Sequence, residues 1–331
     1  MTTLRDVAKI ADVNISTISR YLSGKLAVTP DTEQRIIQAI QQTGYQPNII
    51  AQSLRRRSSP TIAVIVPDIF QPGISGIIYG IDDKLINSEY TLITMMTKGS
   101  AARELSLLSN LHQRMVAGVI VVGHPIGEGN DIQTLRDAIG ENIPMVFVSR
   151  HFSASSVTEV CPDQENGAMK ITQHLIDRGY KSIGIIVGSK NHPDAMVKLS
   201  GYKNALADNG LKFKPELVET GLYQPDPTRI ATQCLLQKGV EAIFCTSDLM
   251  AVSAAQYIHE CELSIPGDVA VAGYGGTIWA EIFSPKLTTV VVQVEQLGGL
   301  AIELLMHQIR YPATKPRFLV RPVYLNVGAT T

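Results

Sequence analysis

Tryptophan occurs once in these 331 residues, cysteine four times, and aromatic residues make up only 6% of the chain. Cys161, Cys234, Cys245 and Cys261 form no C-x-x-C pair and stand among apolar neighbours, so a disulfide framework is excluded and four reduced core thiols are expected. Long hydrophobic runs are missing too. The longest, such as residues 117–123, fall far short of the about 18 apolar residues that suggest a membrane span, so no membrane partner is expected. No leader pattern is visible, since residues 2–6 run straight into a helix-forming segment, and a cytoplasmic protein is expected. H-E-x-x-H, a Walker A loop and G-x-S-x-G are absent, and Gly123, Gly127 and Gly129 lack the spacing of a dinucleotide fingerprint. The seven histidines are scattered and pair with no nucleophile in the sequence. No enzyme activity, no metal site and no cofactor are expected.

Nor does either sign of charge dominate, the formal net charge being −1. That balance hides an asymmetry. Residues 1–60 hold eight Lys and Arg against four Asp and Glu, which leaves 21 against 26 for the rest. A basic end on an acidic body suits a nucleic-acid module attached to a body that stays off phosphates.

What is present begins at Thr3, an N-cap whose capping box is completed by Asp6. Leu4, Val7, Ala8 and Ala11 then recur at i, i+3, i+4 and i+7, the spacing of one helix face. Asp12, Val13 and Asn14 break that helix, and Asn14 caps a second. In the second helix Ile18, Tyr21 and Leu22 are assigned to the inner face, and Ile15, Ser16, Ser19 and Arg20 to the outer one. Two helices of about eight residues across a tight turn match a helix-turn-helix, whose second helix meets base edges in the major groove. Thr29, Pro30 and Gly44 delimit a third helix, with Ile36, Ile37 and Ile40 expected to cover the back of the first two. Asn48 can cap a further helix of two turns, too short to hold alone in water. Arg55, Arg56 and Arg57 follow it and suggest that a polyanion orders it.

From Thr61 the period changes. Short β-rich runs at 61–66, 90–96, 117–123, 144–149, 182–188, 241–247 and 268–274 alternate with helical stretches at 74–88, 101–114, 131–140, 164–179, 196–210, 227–238 and 248–262. Alternation of this kind predicts parallel sheets covered on both faces. The number of units and the break near Ser153–Cys161 predict two α/β lobes in sequence. A late strand, 289–294, and a helix, 295–310, are expected to cross back to the first lobe. The ligand site of such a body is the cleft outside the carboxyl ends of its strands.

The stretches TLRDVAKIADV, STISRYLSG, VTPDTEQRIIQAI and GYQPNIIAQSLR resemble the headpiece and hinge of the LacI/GalR family of bacterial transcription regulators. IAVIVPDIFQP, GVIVVG, QHLIDRGYKSIGIIVG, LSGYKNALADNGL, AIFCTSDLMAVSAAQ, IPGDVAVAGYGGT and SPKLTTV extend the resemblance over essentially the whole chain. It implies a helix-turn-helix headpiece at 1–46, a hinge helix and linker at 47–60, and a two-lobed periplasmic-binding-protein-like core at 61–331. The N-lobe is expected at about 61–158 and 293–318, the C-lobe at about 159–290 and 319–331, with three crossings between them. The family's base-reading positions correspond to Ile15, Ser16 and Arg20, and its phosphate-contacting positions to Asn14 and Thr17. Leu54 stands where a hinge leucine is wedged into a minor-groove step. Thr3, Asn48, Ala51 and Arg55 complete the expected DNA-binding set. Asp12 replaces the family's usual glycine, and Asp tolerates left-handed backbone angles better than most residues.

The resemblance also implies a cleft for a small effector, most often a sugar or sugar phosphate, at Gly73, Ile74, Ser149, Lys198, Tyr223, Ser247 and Gly275. Several of these depart from the family pattern. Gln71-Pro72-Gly73-Ile74 replaces an Asn-Pro-aromatic-aromatic run, Ser149 and Gly275 replace aspartates, Lys198 replaces an arginine and Ser247 an asparagine. Losing two carboxylates and a bidentate fork argues against a plain monosaccharide pocket, and Lys198 suits a larger or anionic sugar. Asn191, His192, His124 and Trp279 are further candidate contacts. Gly275-Gly276-Thr277 with Trp279 resembles the sucrose-operon repressors, which makes a disaccharide or its phosphate the first choice. The function expected is a repressor of carbohydrate-uptake or catabolism genes, bound as a homodimer to pseudo-palindromic double-stranded operator DNA. The alternative is a sugar-binding protein without a regulatory role, against which the headpiece stands. No heptads follow Tyr311, so a dimer is expected in place of a tetramer.

Overall fold

The structure, a computed structural model, describes residues 2–22, 26–45, 59–71, 73–123, 132–150, 157–188 and 193–331. Its contacts divide into two units, Met1–Ser59 and Pro60–Thr331. In the first unit, α1 (Leu4–Ala11), α2 (Ile15–Leu22) and α3 (Pro30–Thr43) enclose a small core of Val7, Ala8, Ala11, Ile18, Ile36 and Ala39. The helix ends are set locally. The Thr3 backbone N–H and hydroxyl both donate to the Asp6 carboxylate at 2.8 Å. Asp12 ends α1 in the left-handed conformation at φ 50° and ψ 50°. Thr29 caps α3 ahead of Pro30, and Gly44 stops it at φ 60°. Two side chains expected to be covered are exposed. Leu22 is 37% exposed and Ile37 43% exposed. At about 100° per residue Ile37 is turned away from the stripe that Ile36, Ala39 and Ile40 form, so Ala39 takes its place in the core.

The second unit is a pair of six-stranded sheets with helices packed on them. The first sheet has the order β11-β5-β4-β3-β1-β2, built from β1 (Ser59–Val66), β2 (Thr91–Met96), β3 (Val116–Val122), β4 (Met145–Val148), β5 (Thr158–Pro162) and β11 (Phe318–Arg321). The second has the order β12-β10-β9-β8-β6-β7, from β6 (Ile183–Val187), β7 (Val218–Thr220), β8 (Ala242–Cys245), β9 (Ala270–Gly275), β10 (Thr288–Val291) and β12 (Tyr324–Asn326). Strands β1 and β2, β3 to β5, β5 and β11, and β6 to β10 pair in parallel; β12 runs antiparallel to β10. β3 is buried along its whole length, as a strand covered on both faces must be. The helices are α4 (Ile74–Leu85), α5 (Ala101–Gln113), α6 (Ile132–Ile139), α7 (Gln164–Asp177), α8 (Pro193–Asp208), α9 (Pro225–Gln237), α10 (Asp248–Glu260), α11 (Ile278–Ile282) and α12 (Val294–Arg310). Helices α8 and α9 begin earlier than expected because Pro193 and Pro225 stand in their first turns, where the missing N–H has no partner to lose.

The first and third lobe boundaries fall a few residues later than expected. β5 pairs with β4, so the first crossing follows Pro162. The late strand, β10, belongs to the second sheet and does not itself cross back; the chain returns at residues 292–293, the boundary expected, into α12. β11 pairs with β5 and β12 with β10, which places the third crossing at residues 322–323. Of the cysteines, Cys161 and Cys245 are buried, Cys234 is half-buried, and Cys261 is exposed because it caps the surface end of α10. No helix among the described residues is long and apolar enough to cross a membrane.

Helix α12 is fixed to the first lobe by close backbone approach to α4. A Cβ at Gly298 would lie 2.1 Å from the Ile77 carbonyl oxygen, and one at Gly80 would lie 2.0 Å from that of Glu295. Gly298→Ala is therefore expected to destabilise the core by about 1–3 kcal/mol through overpacking, read as a lowered thermal midpoint. A midpoint equal to wild type would show that the helices separate freely.

Candidate functional site

The outer face of α2 is built by its own cap. The Asn14 side-chain oxygen accepts from the backbone N–H and the hydroxyl of Ser16, each at 2.9 Å, which fixes the first turn of α2. Asn14, Ile15, Ser16 and Arg20 are exposed, as is Thr3 near the start of α1, and Thr17 is half-buried. Behind this face Ile18 is fully buried, and the Tyr21 hydroxyl donates to Glu33 at 2.7 Å, tying α2 to α3. The Arg35 guanidinium donates to the Ala11 carbonyl at 3.2 Å and ties α3 to the end of α1. Asn48, Ala51, Leu54 and Arg55 lie outside the described residues.

In the second unit, Gly73, Ile74, Ser149, Lys198, Tyr223, Ser247 and Gly275 all line one cavity of about 360 Å3. It lies at the carboxyl ends of strands from both sheets, with Pro162 from the end of β5 and Val292 from the second crossing in its wall. The backbone at its rim is bent into left-handed angles: Ser149 has φ 56°, Leu222 φ 53° and Tyr223 φ 56°. Strain of this kind persists where surrounding structure fixes it and clusters at ligand sites. Gly275 has φ 133°, which favours glycine, and a Cβ there would come within 3.2 Å of Asp248 Oδ2. The loss of a carboxylate at 275 thus goes with the backbone that the loop adopts.

The cavity has two unlike walls. The first-lobe wall is mostly apolar, from Ile74, Ile77, Val122 and Leu297. The second-lobe wall is polar. Lys198 is buried, with Nζ 3.4 Å from the Thr246 carbonyl and 4.4 Å from the Tyr274 ring centre. Burial lowers its pKa, and Asp194 and Asp248 oppose that. Asp248 sits behind Gly275 and accepts from the backbone N–H of Thr277 at 2.6 Å, its hydroxyl at 2.9 Å, and the Thr289 hydroxyl. Burial pushes its carboxyl upward, and these hydrogen bonds act against the push. Burial also raises the Tyr223 and Tyr274 phenols. The Ser247 hydroxyl accepts from Met250 N–H at 3.3 Å and caps α10.

Gln71 and Thr277, from the two loop runs the resemblance singles out, line the same cavity, as do Gln164, Asp194 and Tyr274, which no motif in the sequence marks. Gln164 Oε1 and the Tyr274 hydroxyl are buried without a hydrogen-bond partner. Asp194 was within reach of sequence reasoning, because it stands one helical turn before Lys198 on α8. Trp279 is not part of the lining, and His124, Asn191 and His192 lie outside the described residues.

Beneath Ser149 lies a second polar group. Arg150 is 2% exposed, and its Nη1 lies 2.7 Å from Glu104 Oε1. Its backbone N–H donates to Glu159 Oε1 at 2.8 Å, and Cys161 Sγ donates to the same oxygen at 2.9 Å.

A family described as "Bacterial regulatory proteins, lacI family" matches residues 3–48, and "Periplasmic binding protein-like domain" matches residues 172–331. The HTH-type transcriptional repressor PurR of Histophilus somni (strain 2336) is 30% identical over 311 residues, 93% of this chain and 92% of that protein. A complex of the transcriptional regulator CelR with cellobiose superposes with a TM-score of 0.76 at 28% identity, covering all of both chains. The lac repressor dimer bound to operator and the anti-inducer ONPF gives a TM-score of 0.87 at 24% identity, covering 99% of this chain and 98% of that one.

Proposed function

The chain belongs to the lacI family of bacterial regulatory proteins and is a DNA-binding transcription repressor with a ligand-binding core; on that premise we propose which residues read DNA and what the core senses. A homodimer presents two copies of α2 to inverted half-sites. Ile15, Ser16 and Arg20 read base edges, Asn14 and Thr17 hold phosphates, and Thr3, Asn48, Ala51, Leu54 and Arg55 extend the contact. Effector binding in the cavity at Gly73, Ile74, Ser149, Lys198, Tyr223, Ser247 and Gly275 changes the angle between the lobes, and with it operator affinity. Coupling of this kind is typically about 1–3 kcal/mol.

The observation that carries this reading is the exposure of Ile15, Ser16 and Arg20 on one face of a capped helix in a helix-turn-helix. The effector proposed is a sugar or sugar phosphate, in keeping with the cellobiose held by CelR. The genes proposed are those of carbohydrate uptake or catabolism, and the protein is proposed to work in the cytoplasm without catalysing a reaction.

Selection from a random DNA pool tests the reading. The expected product is an inverted repeat with half-site centres roughly 10 base pairs, one helical turn, apart. Its affinity is expected to fall as salt rises, because phosphate contacts release counterions. Recovery of no preferred sequence, with and without a panel of sugars, would sink it.

A further inference from the structure

Lys198 is the one cation among the described residues that line the cavity, and a carboxylate stands beside it on the same helix. Asp194 lines the same wall one turn away on α8, and Asp248 lies behind Gly275; both act on Lys198. The same two carboxylates stand in the first turns of α8 and α10, whose positive ends would otherwise attract an anion. A phosphate or carboxylate brought to this wall would meet Lys198 together with the Asp194 carboxylate, with Asp248 buried behind the wall.

The remaining polar groups on the wall ask for a different ligand. Gln164 Oε1 and the Tyr274 hydroxyl are buried without partners, and a buried polar group left unpaired is costly. With Asp194 and Lys198 they form a mixed set of acceptors and donors, which hydroxyl groups satisfy because each both gives and takes a hydrogen bond. A phosphate dianion seated at this wall would bring no donor for Gln164 Oε1 or the Asp194 carboxylate, whereas a hydroxyl in its place would. Opposite stand Ile74, Ile77, Val122, Val294 and Leu297, a surface for the C–H face of a sugar ring or an apolar substituent.

We propose that the effector is an uncharged, polyhydroxylated molecule with one apolar face, a neutral oligosaccharide or glycoside, and that Asp194 is the residue that rejects its phosphorylated form. This rests on the cavity being the effector site. It narrows the choice between sugar and sugar phosphate, and it assigns Asp194 and Gln164 to ligand recognition.

The test uses the full-length protein and matched pairs: cellobiose and cellobiose 6′-phosphate, sucrose and sucrose 6-phosphate, maltose and maltose 6′-phosphate. Thermal midpoints and operator binding are both read. The expected result is that the neutral member of at least one pair raises the midpoint and alters operator binding, and that its phosphate binds at least about tenfold more weakly. Asp194→Asn is expected to narrow that gap by about tenfold, with its circular dichroism spectrum unchanged. A phosphosugar that binds as well as its parent overturns the neutral class and leaves the effector reading standing. A variant with undiminished discrimination overturns the role of Asp194. If no member of any pair shifts the midpoint or touches operator binding, the carbohydrate reading falls and the inference falls with it.

Discussion

Replacing Arg150 with methionine is expected to destabilise the core by about 3–5 kcal/mol, the cost of leaving a buried charge without its partner. Both members of the pair are out of water, at 1% and 0% side-chain exposure. Burial pushes the Glu104 carboxyl up and the Arg150 guanidinium down, and their ion pair opposes both shifts. With the cation gone, Glu104 has two courses: to stay charged at full desolvation cost or to take up a proton. The second sets the sign of the pH dependence. A folded-state pKa raised above the unfolded one gives stability that is present at low pH and lost as pH rises. The defect of Arg150→Met should therefore shrink on acidification and widen toward neutral pH. Urea denaturation followed by circular dichroism at several pH values measures this. The double variant Glu104→Leu/Arg150→Met is expected to recover most of the loss, since an apolar pair of similar volume often serves as well as a buried ion pair. A single variant that unfolds at the wild-type urea concentration would show that this pair contributes nothing. Because Arg150 directly follows Ser149 on the cavity rim, the single variant is also expected to loosen that rim.

The second large effect concerns DNA. Arg20→Ala is expected to cost about 1–3 kcal/mol of operator binding and to relax preference at one base position, as loss of a base-reading arginine does. Gel-shift titration on the selected operator and on single-base variants, at fixed salt, reads both consequences. Wild-type affinity and wild-type preference together would remove Arg20 from the recognition surface. Asn14 is the poorer test. Its side-chain oxygen holds Ser16, so Asn14→Ala also removes a helix cap worth about 1 kcal/mol. Thermal shifts with sugars should be unaffected by Arg20→Ala, since the cavity belongs to the other unit.

The headpiece was legible because its signals are local. Asn14 caps with an atom two residues from its target, Thr29 and Pro30 start α3, and Asp12 and Gly44 reach the left-handed region on their own account. Ile37 is exposed because the helical period turns it outward although its composition marks it as core, whereas Leu22, four residues after Ile18, keeps the inner-face spacing and is 37% exposed as the last residue of α2. In the core, β5 escaped the reading although it is buried throughout. It is five residues long, ends in a proline and carries Glu159, so it reads as a polar break. Only contacts from distant segments, Arg150 from beyond β4 and β11 from the far end of the chain, reveal it as a strand. β7, β11 and β12 were missed for a related reason: edge strands of three or four residues carry too little pattern. The cavity positions inferred from resemblance came without Gln164, which a crossing delivers to the site, or Tyr274, which looked like one more apolar residue of β9.

The three crossings join the two sheets, and Pro162, just before the first, and Val292, within the second, stand in the cavity wall. Mechanically this is a door hung on three straps. Sliding one lobe past the other would stretch all of them, whereas swinging twists each only slightly. A molecule seated against the straps sits beside the pivot, where a slight local displacement becomes a wide sweep at the free edge of the lobe.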